Sequence, residues 1–447
     1  MRHGHTVRHA GWLAGWLAGL LLGSLAGVAP PVVAQGSATS VGMSLTLEQA
    51  EALAIKNNPQ ITIGKLRALA AQQFVREQRS ALLPTANLSI TAVDANPGSR
   101  IAAGALNNPV LFPRAAAGAT VSQLITDFGR TTSLLSSSEY AAKAEEDNAA
   151  ATRAQIVLAV DQAFYQALET KALVTVARKT VDSRQLFVQK IVALANAKLK
   201  SDLDLSFAKV DEARGRLLLL EAQNNSEAAL STLSAILGYA DRQEFQLIEE
   251  PNAVTPPSMD VNTLIAQALQ QRPEIAELQN EVQSAQKFAG AEHDLWRPTV
   301  GALGVVGIAP VRDDHIPNWY GAVGININVP VFNGWLYNAR AKTADLQTEE
   351  NRQRLLDSKN KIARDVRNAW QDSNSAYERL SVTQQFRVQA SLSLDLAQAR
   401  YNLGLGSIVE FTQAELQETE AEIADTDARY QYRLTQLVLA YTAGAAK

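Results

Sequence analysis

Along this chain of 447 residues the period of the apolar positions changes in a fixed order, and that order occurs twice. Each half opens with a short amphipathic helix. In the first, Leu45-Thr46-Leu47-Glu48-Gln49-Ala50 offers Thr46 as an N-cap with Gln49 three residues on, the spacing of a capping box. Asn57-Asn58-Pro59 interrupts it, because proline lacks the backbone donor and disfavours helix at the residue before it. A second helix then runs to about Leu83, and the later half repeats this with Leu264 to Arg272, Pro273, and helix to about Leu295.

After Pro84 and Pro298 the period drops to two. Leu88, Ile90 and Ala92 alternate with Asn87, Ser89 and Thr91, and Val323, Ile325, Ile327 and Val329 alternate with Gly324, Asn326 and Asn328. Alternation of this length predicts strands with one apolar and one polar face. Four are expected, at about 85–94, 116–126, 299–309 and 320–331, as one hairpin per half with loops at about 95–115 and 310–319. The remainder reads as helix. Arg130 to about Ala195 and Leu336 to about Tyr401 hold roughly 66 residues each without proline, on the order of 100 Å of helix. Val157, Val160, Phe164 and Leu168 form a stripe in the first, and Leu416, Ile423, Tyr430 and Leu437 recur every seven residues near the C-terminus, the coiled-coil spacing. Gly238 and Gly444 are natural stops for the returning helices. Average helices of globular proteins run about 11–12 residues, so these predict an elongated chain.

The spacing of landmarks identifies an internal duplication. Pro59 to Pro84 and Pro273 to Pro298 are both 25 residues; Ser201 to Gly238 and Ser407 to Gly444 are both 37; Gly129 to Ser201 is 72 and Gly334 to Ser407 is 73. Only Pro84 to Gly129 (45) and Pro298 to Gly334 (36) differ, which places a nine-residue insertion in the first hairpin, most naturally in its loop. The expected organisation is a leader at 1–34, a first repeat at 35–250 (hairpin 85–126, long helix pair 130–238), a linker at 251–259, and a second repeat at 260–447 (hairpin 299–331, helix pair 336–444).

The leader reads as a secretory signal peptide: Arg2 and Arg8, an apolar run from Gly11 to Ala29, then Val32-Val33-Ala34 before Gln35. A retained signal anchor is the alternative, since Trp12 to Ala29 approaches spanning length, but Pro30-Pro31 and the cleavage site follow at once. Removal of Arg2 and Arg8 moves the formal net charge from −4 to −6, which offers nothing to nucleic acid. Cysteine is absent, excluding disulfides and thiolate sites, and only His293 and His315 remain beyond the leader, so neither a metal nor another cofactor is expected. Glu292-His293-Asp294 is the one arrangement suggestive of acid–base chemistry, and it reads better as a solvated helix end before Pro298; no enzyme activity is expected.

Four half-apolar strands cannot close a barrel, and open edges cannot face lipid. Single-chain outer-membrane barrels start at eight strands, so apolar faces meeting lipid require several chains to share one barrel. Trp296, Trp319, Tyr320, Trp335 and Tyr337 lie near strand ends, where aromatic girdles belong; core aromatics of a soluble sheet are the competing reading.

The motifs in order resemble the TolC-like outer-membrane efflux family over essentially the whole mature length. The resemblance rests on Leu45 to Ala50 with Asn57-Asn58-Pro59, on Leu83-Pro84, on the strand-to-helix junctions Leu124 to Gly129 and Val329-Pro330-Val331-Phe332-Asn333-Gly334, and above all on Arg400-Tyr401-Asn402-Leu403-Gly404-Leu405-Gly406-Ser407-Ile408-Val409-Glu410. The last is similar to the family's turn between paired helices. The resemblance implies a mainly helical protein with a transmembrane β-barrel portion: a homotrimer sharing a 12-stranded barrel in outer-membrane lipid, above a periplasmic helical barrel. It further implies a passive exit duct that docks a periplasmic adaptor and an inner-membrane transporter of the RND, ABC or MFS kind, for small-molecule efflux or type I secretion. A secreted periplasmic coiled-coil scaffold is the alternative reading.

By the same resemblance the two turns form the inner tip. They superpose at an offset of 206, matching Ser201 with Ser407 and Asp204 with Glu410. Asp204 and Glu410 are expected at the periplasmic mouth, with Arg400 and Tyr401 as candidate closing partners; capping of the returning helices is the simpler role for both acids. Lys198, Lys200, Ser201, Gly404, Gly406 and Ser407 are the expected adaptor-contact residues, and Gly129, Phe332 and Gly334 the junction residues. Two departures stand out: Glu410 is one methylene longer than the family's usual Asp, and Lys198 occupies the position of Gly404. The two tips are therefore expected to be unequal toward a partner.

Overall fold

The computed structural model describes residues 43–96, 113–249, 255–257, 260–310, 315 and 317–445. The leader, most of the linker and most of the first hairpin loop lie outside the described residues. The elements in chain order are β1 (Met43–Leu45), α1 (Leu47–Asn57), α2 (Pro59–Ser80), β2 (Thr85–Val93), β3 (Arg114–Thr126), α3 (Arg130–Asn196), α4 (Asp202–Ile236), β4 (Phe245–Leu247), α5 (Val261–Gln271), α6 (Pro273–His293), β5 (Thr299–Ile308), β6 (Trp319–Asn328), α7 (Leu336–Asn402) and α8 (Ile408–Thr442). A single 3-10 turn, Asp294–Trp296, joins α6 to β5. The long helices match in length, 67 residues for α3 and α7 and 35 for α4 and α8. Twenty residues separate β2 from β3 but only ten separate β5 from β6, so the extra length falls in the loop.

The four longer strands form one antiparallel sheet in the order β2-β3-β5-β6. Residues paired across strands share a face, so the register sorts the side chains. Leu88 pairs with Ala119, Ala119 with Val306, Val121 with Gly304, Gly304 with Val323, and Ala302 with Ile325. That face is apolar on all four strands except at Gln123, near the end of β3. It is also bare: Leu88, Ile90, Val323 and Ile325 are 75, 77, 91 and 69 % exposed. The opposite face carries Asn87, Ser89, Thr91, Thr120, Ser122, Asn326 and Asn328, with Leu303 and Val305 of β5 among them. β6 ends at Asn328 rather than near Val331, because Thr299, its last partner on β5, directly follows Pro298, and Pro330 has no donor to continue a ladder. β1 and β4 make a separate parallel pair that the alternation pattern did not indicate; three residues are too few to show a period.

The helices continue the order of the strands. α2 leads into β2, β3 into α3, α6 into β5 and β6 into α7, and the contacts run α2 to α3, α3 to α6 and α6 to α7. Beyond the middle of α3 and α7 the layer becomes α4, α3, α8, α7. Alanine makes these close approaches possible: Ala142, Ala144, Ala151, Ala344, Ala390 and Ala397 are all buried. Around the middle, α1 and the small sheet pack on Val160, Phe164 and Leu233, and α5 packs on Ile362 and Val366. Tyr432 on α8 donates to the carbonyl of Thr255, which pins the linker to the same region.

Helix ends repeat one device. At α3 the amide of Lys198 donates to Ala195 O (2.9 Å) and that of Leu199 to Leu194 O (2.8 Å); at α7 Gly404 donates to Tyr401 O (3.2 Å) and Leu405 to Arg400 O (2.8 Å). Both are Schellman closures, which need a left-handed residue. Gly404 supplies it freely at φ 74°, whereas Lys198 adopts φ 60° with a side chain attached. Gly238 and Gly444 close α4 and α8 in the same way.

One buried ionic cluster ties three helices together. Arg184 on α3 contacts the Asp211 carboxylate of α4 at 3.0 Å, donates to the Asp211 carbonyl at 3.0 Å and reaches Thr419 Oγ1 of α8 at 3.3 Å. Glu415 of α8 is buried beside them. Burial, and then the charge of Asp211, push Glu415 up to about 8, with Arg184 pulling the other way. Asp211 is likewise raised by burial against the pull of Arg184. Gly215 makes room, since a Cβ there would sit 3.2 Å from Arg184 Cδ.

Two outcomes follow for stability. Replacing Lys198 by glycine removes a left-handed penalty and is expected to stabilise the helical turn by about 1 kcal/mol, read as a higher chemical-denaturation midpoint. An unchanged or lower midpoint would contradict the strain. Glu415 binds its proton more tightly folded than unfolded, so its contribution is whole below pH 4.5 and is lost as pH rises through about 8. Glu415→Gln keeps a donor toward Asp211 but cannot ionise. Its melting temperature should fall less steeply than wild type between those pH values, and parallel profiles would exclude the proton from this site.

Candidate functional site

Each turn between long helices is built around its serine. Ser201 Oγ accepts from the Asp204 amide at 3.2 Å, while Asp204 Oδ2 accepts from the Ser201 amide at 3.1 Å and hydroxyl at 2.7 Å, a complete capping box. Ser407 Oγ accepts from the Glu410 amide at 3.1 Å, but Glu410 does not reach back. Its extra methylene sends the carboxylate to Arg400, 3.0 Å from Nε, and Arg400 also donates to the Leu405 carbonyl at 3.1 Å. The pair closes over Gly406, where a Cβ would lie 3.1 Å from Glu410 Oε2 and 3.3 Å from Arg400 Cβ. Asp204 is thus committed to its own cap. Glu410 holds an exposed ion pair, a class worth about 0–1 kcal/mol and so readily broken.

Tyr401 joins the two turns. It is 2 % exposed, its ring stacks on Phe411 with centroids 5.7 Å apart, and Phe187 of α3 lies 5.9 Å away. Lys200 Nζ sits 3.8 Å from the centre of that ring. The hydroxyl faces Asp204 of the other turn without a hydrogen bond of ordinary geometry. Burial, then the negative charge of Asp204, raise the phenol to about 12. Asp204 is held below the usual carboxylate range: its desolvation, the largest single cause, is outweighed by the sum of the Ser201 hydrogen bonds, the Lys200 charge and the approach of Tyr401. Of the expected tip residues, then, Lys200, Ser201, Asp204 and Tyr401 converge, while Arg400, Gly406, Ser407 and Glu410 form a second, local group. Lys198 and Gly404 occupy equivalent left-handed corners.

The strand-to-helix junctions also use left-handed backbone, at Phe128-Gly129 (φ 57° and 109°) and Gly334-Trp335 (φ 61° and 68°). Asp127 secures the first: its carboxylate accepts from the Thr131 amide at 2.8 Å and from the Gly129 amide at 3.3 Å. This buried residue was legible as an acid four residues ahead of Thr131 but was not singled out. Phe332 is exposed before the second junction.

The aromatic residues divide into three groups. Trp296 packs edge-on against Tyr337 at 5.4 Å and donates to Asn338 Oδ1 at 3.2 Å, and Trp335 lies exposed nearby in sequence. Trp319 is on the apolar face at the other end of the sheet, paired with Ile308. Tyr320, expected with the girdle aromatics, falls on the polar face because successive strand residues point to opposite sides. Its phenol lies across Gly307 and Gly118, where added Cβ atoms would sit 2.5 Å from the hydroxyl. His293 meets Asp345 on α7 at 3.0 Å at an exposed helix end.

Escherichia coli outer membrane protein TolC is 24% identical over 422 residues, covering 89% of this chain and 84% of that protein. The cobalt-zinc-cadmium resistance protein CzcC of Cupriavidus metallidurans is 22% identical over 308 residues, 68% of each chain. The fold is similar to the Campylobacter jejuni CmeC outer membrane channel, with a TM-score of 0.78, 18% identity, and coverage of 90% of this chain and 86% of that one. The profile of the family described as outer membrane efflux protein matches twice, at residues 52–239 and 264–445. The chain belongs to the outer membrane efflux protein family.

Proposed function

We propose that three copies of this chain form one outer-membrane duct, passive itself, through which cargo leaves when an inner-membrane transporter and a periplasmic adaptor deliver it. The single observation that carries this reading is the sheet: an apolar face bare on four strands, backed by a polar face, with β2 and β6 unpaired on their outer sides. β2 and β6 run antiparallel, so β6 of one copy can pair β2 of the next. Three copies, the number the family resemblance implies, give twelve strands with every edge closed. Ten-residue strands extend roughly 30 Å, enough for a tilted crossing of an apolar band about 25 Å tall.

The helical edges support the same assembly. On α4, Leu203, Phe207, Val210 and Leu217 stand exposed at coiled-coil spacing, and on α7 so do Val382, Leu392, Leu396 and Leu403. These helices are the outer members of the lower layer, where neighbouring copies would meet. A periplasmic scaffold would leave both stripes and the whole sheet face in water. The duplication of hairpin and helix pair then gives six similar units around one bore. At its inner end the Arg400–Glu410 pair and the Lys200–Tyr401–Asp204 group are the contacts that would hold the mouth narrow, beside the surface offered to the adaptor.

Substitution on the two strand faces tests the barrel. A lysine at Ile325 would place a charge in lipid at about 2–4 kcal/mol and should abolish the detergent-stable outer-membrane trimer. Asn326→Lys should assemble and change ion selectivity in planar bilayers. Equal assembly of both would remove the proposed orientation. For the mouth, Arg400→Ala with Tyr401→Phe should raise single-channel conductance severalfold without loss of trimer; unchanged conductance would show that these contacts do not restrict the bore.

A further inference from the structure

The layer α2-α3-α6-α7 carries a groove of about 760 Å³. That volume lies within the range of small-molecule sites, about 300–1,000 Å³. Its depth comes from small residues: Ala71, Ala141, Ala144 and Ala285 stand where larger side chains would fill the space. Two phenyl rings flank this floor, Phe74 of α2 at 50 % exposure and Phe288 of α6 at 38 %.

The polar lining is lopsided in charge. Glu145, Glu281 and Glu350 share the groove with a single cation, Arg354. Arg354 is already taken, with its Nη2 at 2.6 Å from Glu350 Oε1. Among the described residues no basic side chain forms an ion pair with Glu145 or Glu281. Glu277, one turn before Glu281, registers the local field: burial first, and then the charges of Glu281, Glu145, Glu274 and Asp147, push it up to about 7. Two uncompensated carboxylates therefore stand beside two exposed aromatic faces.

The groove lies on the side of the layer that α1 and α5 leave bare. α1 packs near Val160 of α3 and α5 packs on Val366 of α7. Ala144 precedes Val160, and Glu350 precedes Val366, by sixteen residues in each case, about 160° around a helix of 3.6 residues per turn. Ala144 and Glu350 thus face away from α1 and α5, while Glu145 and Asn351 stand at the groove's edge, about 60° from Val160 and Val366. In a duct this is the bore side, because α1 and α5 placed inside would obstruct it.

We infer that the groove is a resting site within the bore for organic cations that carry an aromatic body. A protonated or quaternary amine would face Glu145 and Glu281, and the body would lie on Phe74 and Phe288. Ion attraction at a partly desolvated carboxylate and cation–π contact with a phenyl face both favour this class over anions or neutral sugars. Occupancy is transient, as transport requires, because the groove is open along one side and no segment among the described residues covers it. The inference rests on the reading of the chain as a duct, and it narrows the cargo of that duct.

Ethidium is a suitable probe, titrated by fluorescence against the purified full-length protein in non-ionic detergent. Saturable binding is expected, and Glu145→Gln with Glu281→Gln should weaken it about tenfold, as should Phe74→Ala with Phe288→Ala. Glu420→Gln, at an exposed position on α8, should bind as wild type. An affinity unchanged in both double variants, or lowered equally by Glu420→Gln, overturns the site. Trimer mass and bilayer conductance measured on the same samples separate the two readings. Conducting trimers with unchanged ethidium binding sink the groove alone, whereas absence of conductance in the wild-type protein sinks the duct.

Discussion

A strand edge in hydrocarbon has no water to satisfy its amides, and that constraint governs the rest of this structure. The sheet has one face suited to lipid, yet it stops at four strands with both outer edges open. Such a sheet can enter a membrane only with its edges paired, and one chain has no further long strand to offer among the described residues. The polar opposite face, the antiparallel sense of β2 and β6 and the apolar stripes on α4 and α7 answer the same demand. The helices inherit the strand order, so in the proposed trimer closing the sheet would also close the helical layer.

Packing of the long helices follows from how little bulk separates them. Buried alanines bring α3, α6 and α7 close, and the larger apolar residues concentrate in three places: around α1 with the small sheet, around α5, and at the turns. Between these anchors the layer depends on many small contacts spread over about 100 Å. The Arg184–Asp211–Glu415 cluster lies in one such stretch and joins both returning helices to α3. Nothing equivalent occurs at the duplicated positions, where the offset of 206 puts Ala390, Gln417 and Ala421 opposite Arg184, Asp211 and Gly215.

Much of this was legible in the sequence because it is periodic. The absence of proline between Arg130 and Asn196 and between Leu336 and Asn402 set both long helices to within a residue at each end. Alternation through Val323, Ile325 and Ile327 marked the apolar face, and Ser201 and Ser407 marked the helix starts. What escaped is non-periodic or long-range. β1 and β4 are three residues each and join positions about two hundred apart. Tyr320 was assigned by proximity to a strand end, although the strand period itself put it on the other face. The different fates of Asp204 and Glu410 turn on one methylene and on Gly406, whose vacancy matters only once the Arg400 side chain is in place. The groove of Phe74 and Phe288 combines four helices and has no local signature.

Glu415 has a consequence outside the protein. In the proposed duct these helices stand in the periplasm, a compartment that follows the acidity of the surrounding medium closely. A carboxyl that exchanges its proton near pH 8 is therefore neutral in acidic surroundings and ionised in alkaline ones. In the first case the site around Arg184 carries one negative charge fewer than in the second. In the proposed duct, the adhesion of α8 to α3 and α4 would then respond to the acidity of the surrounding water.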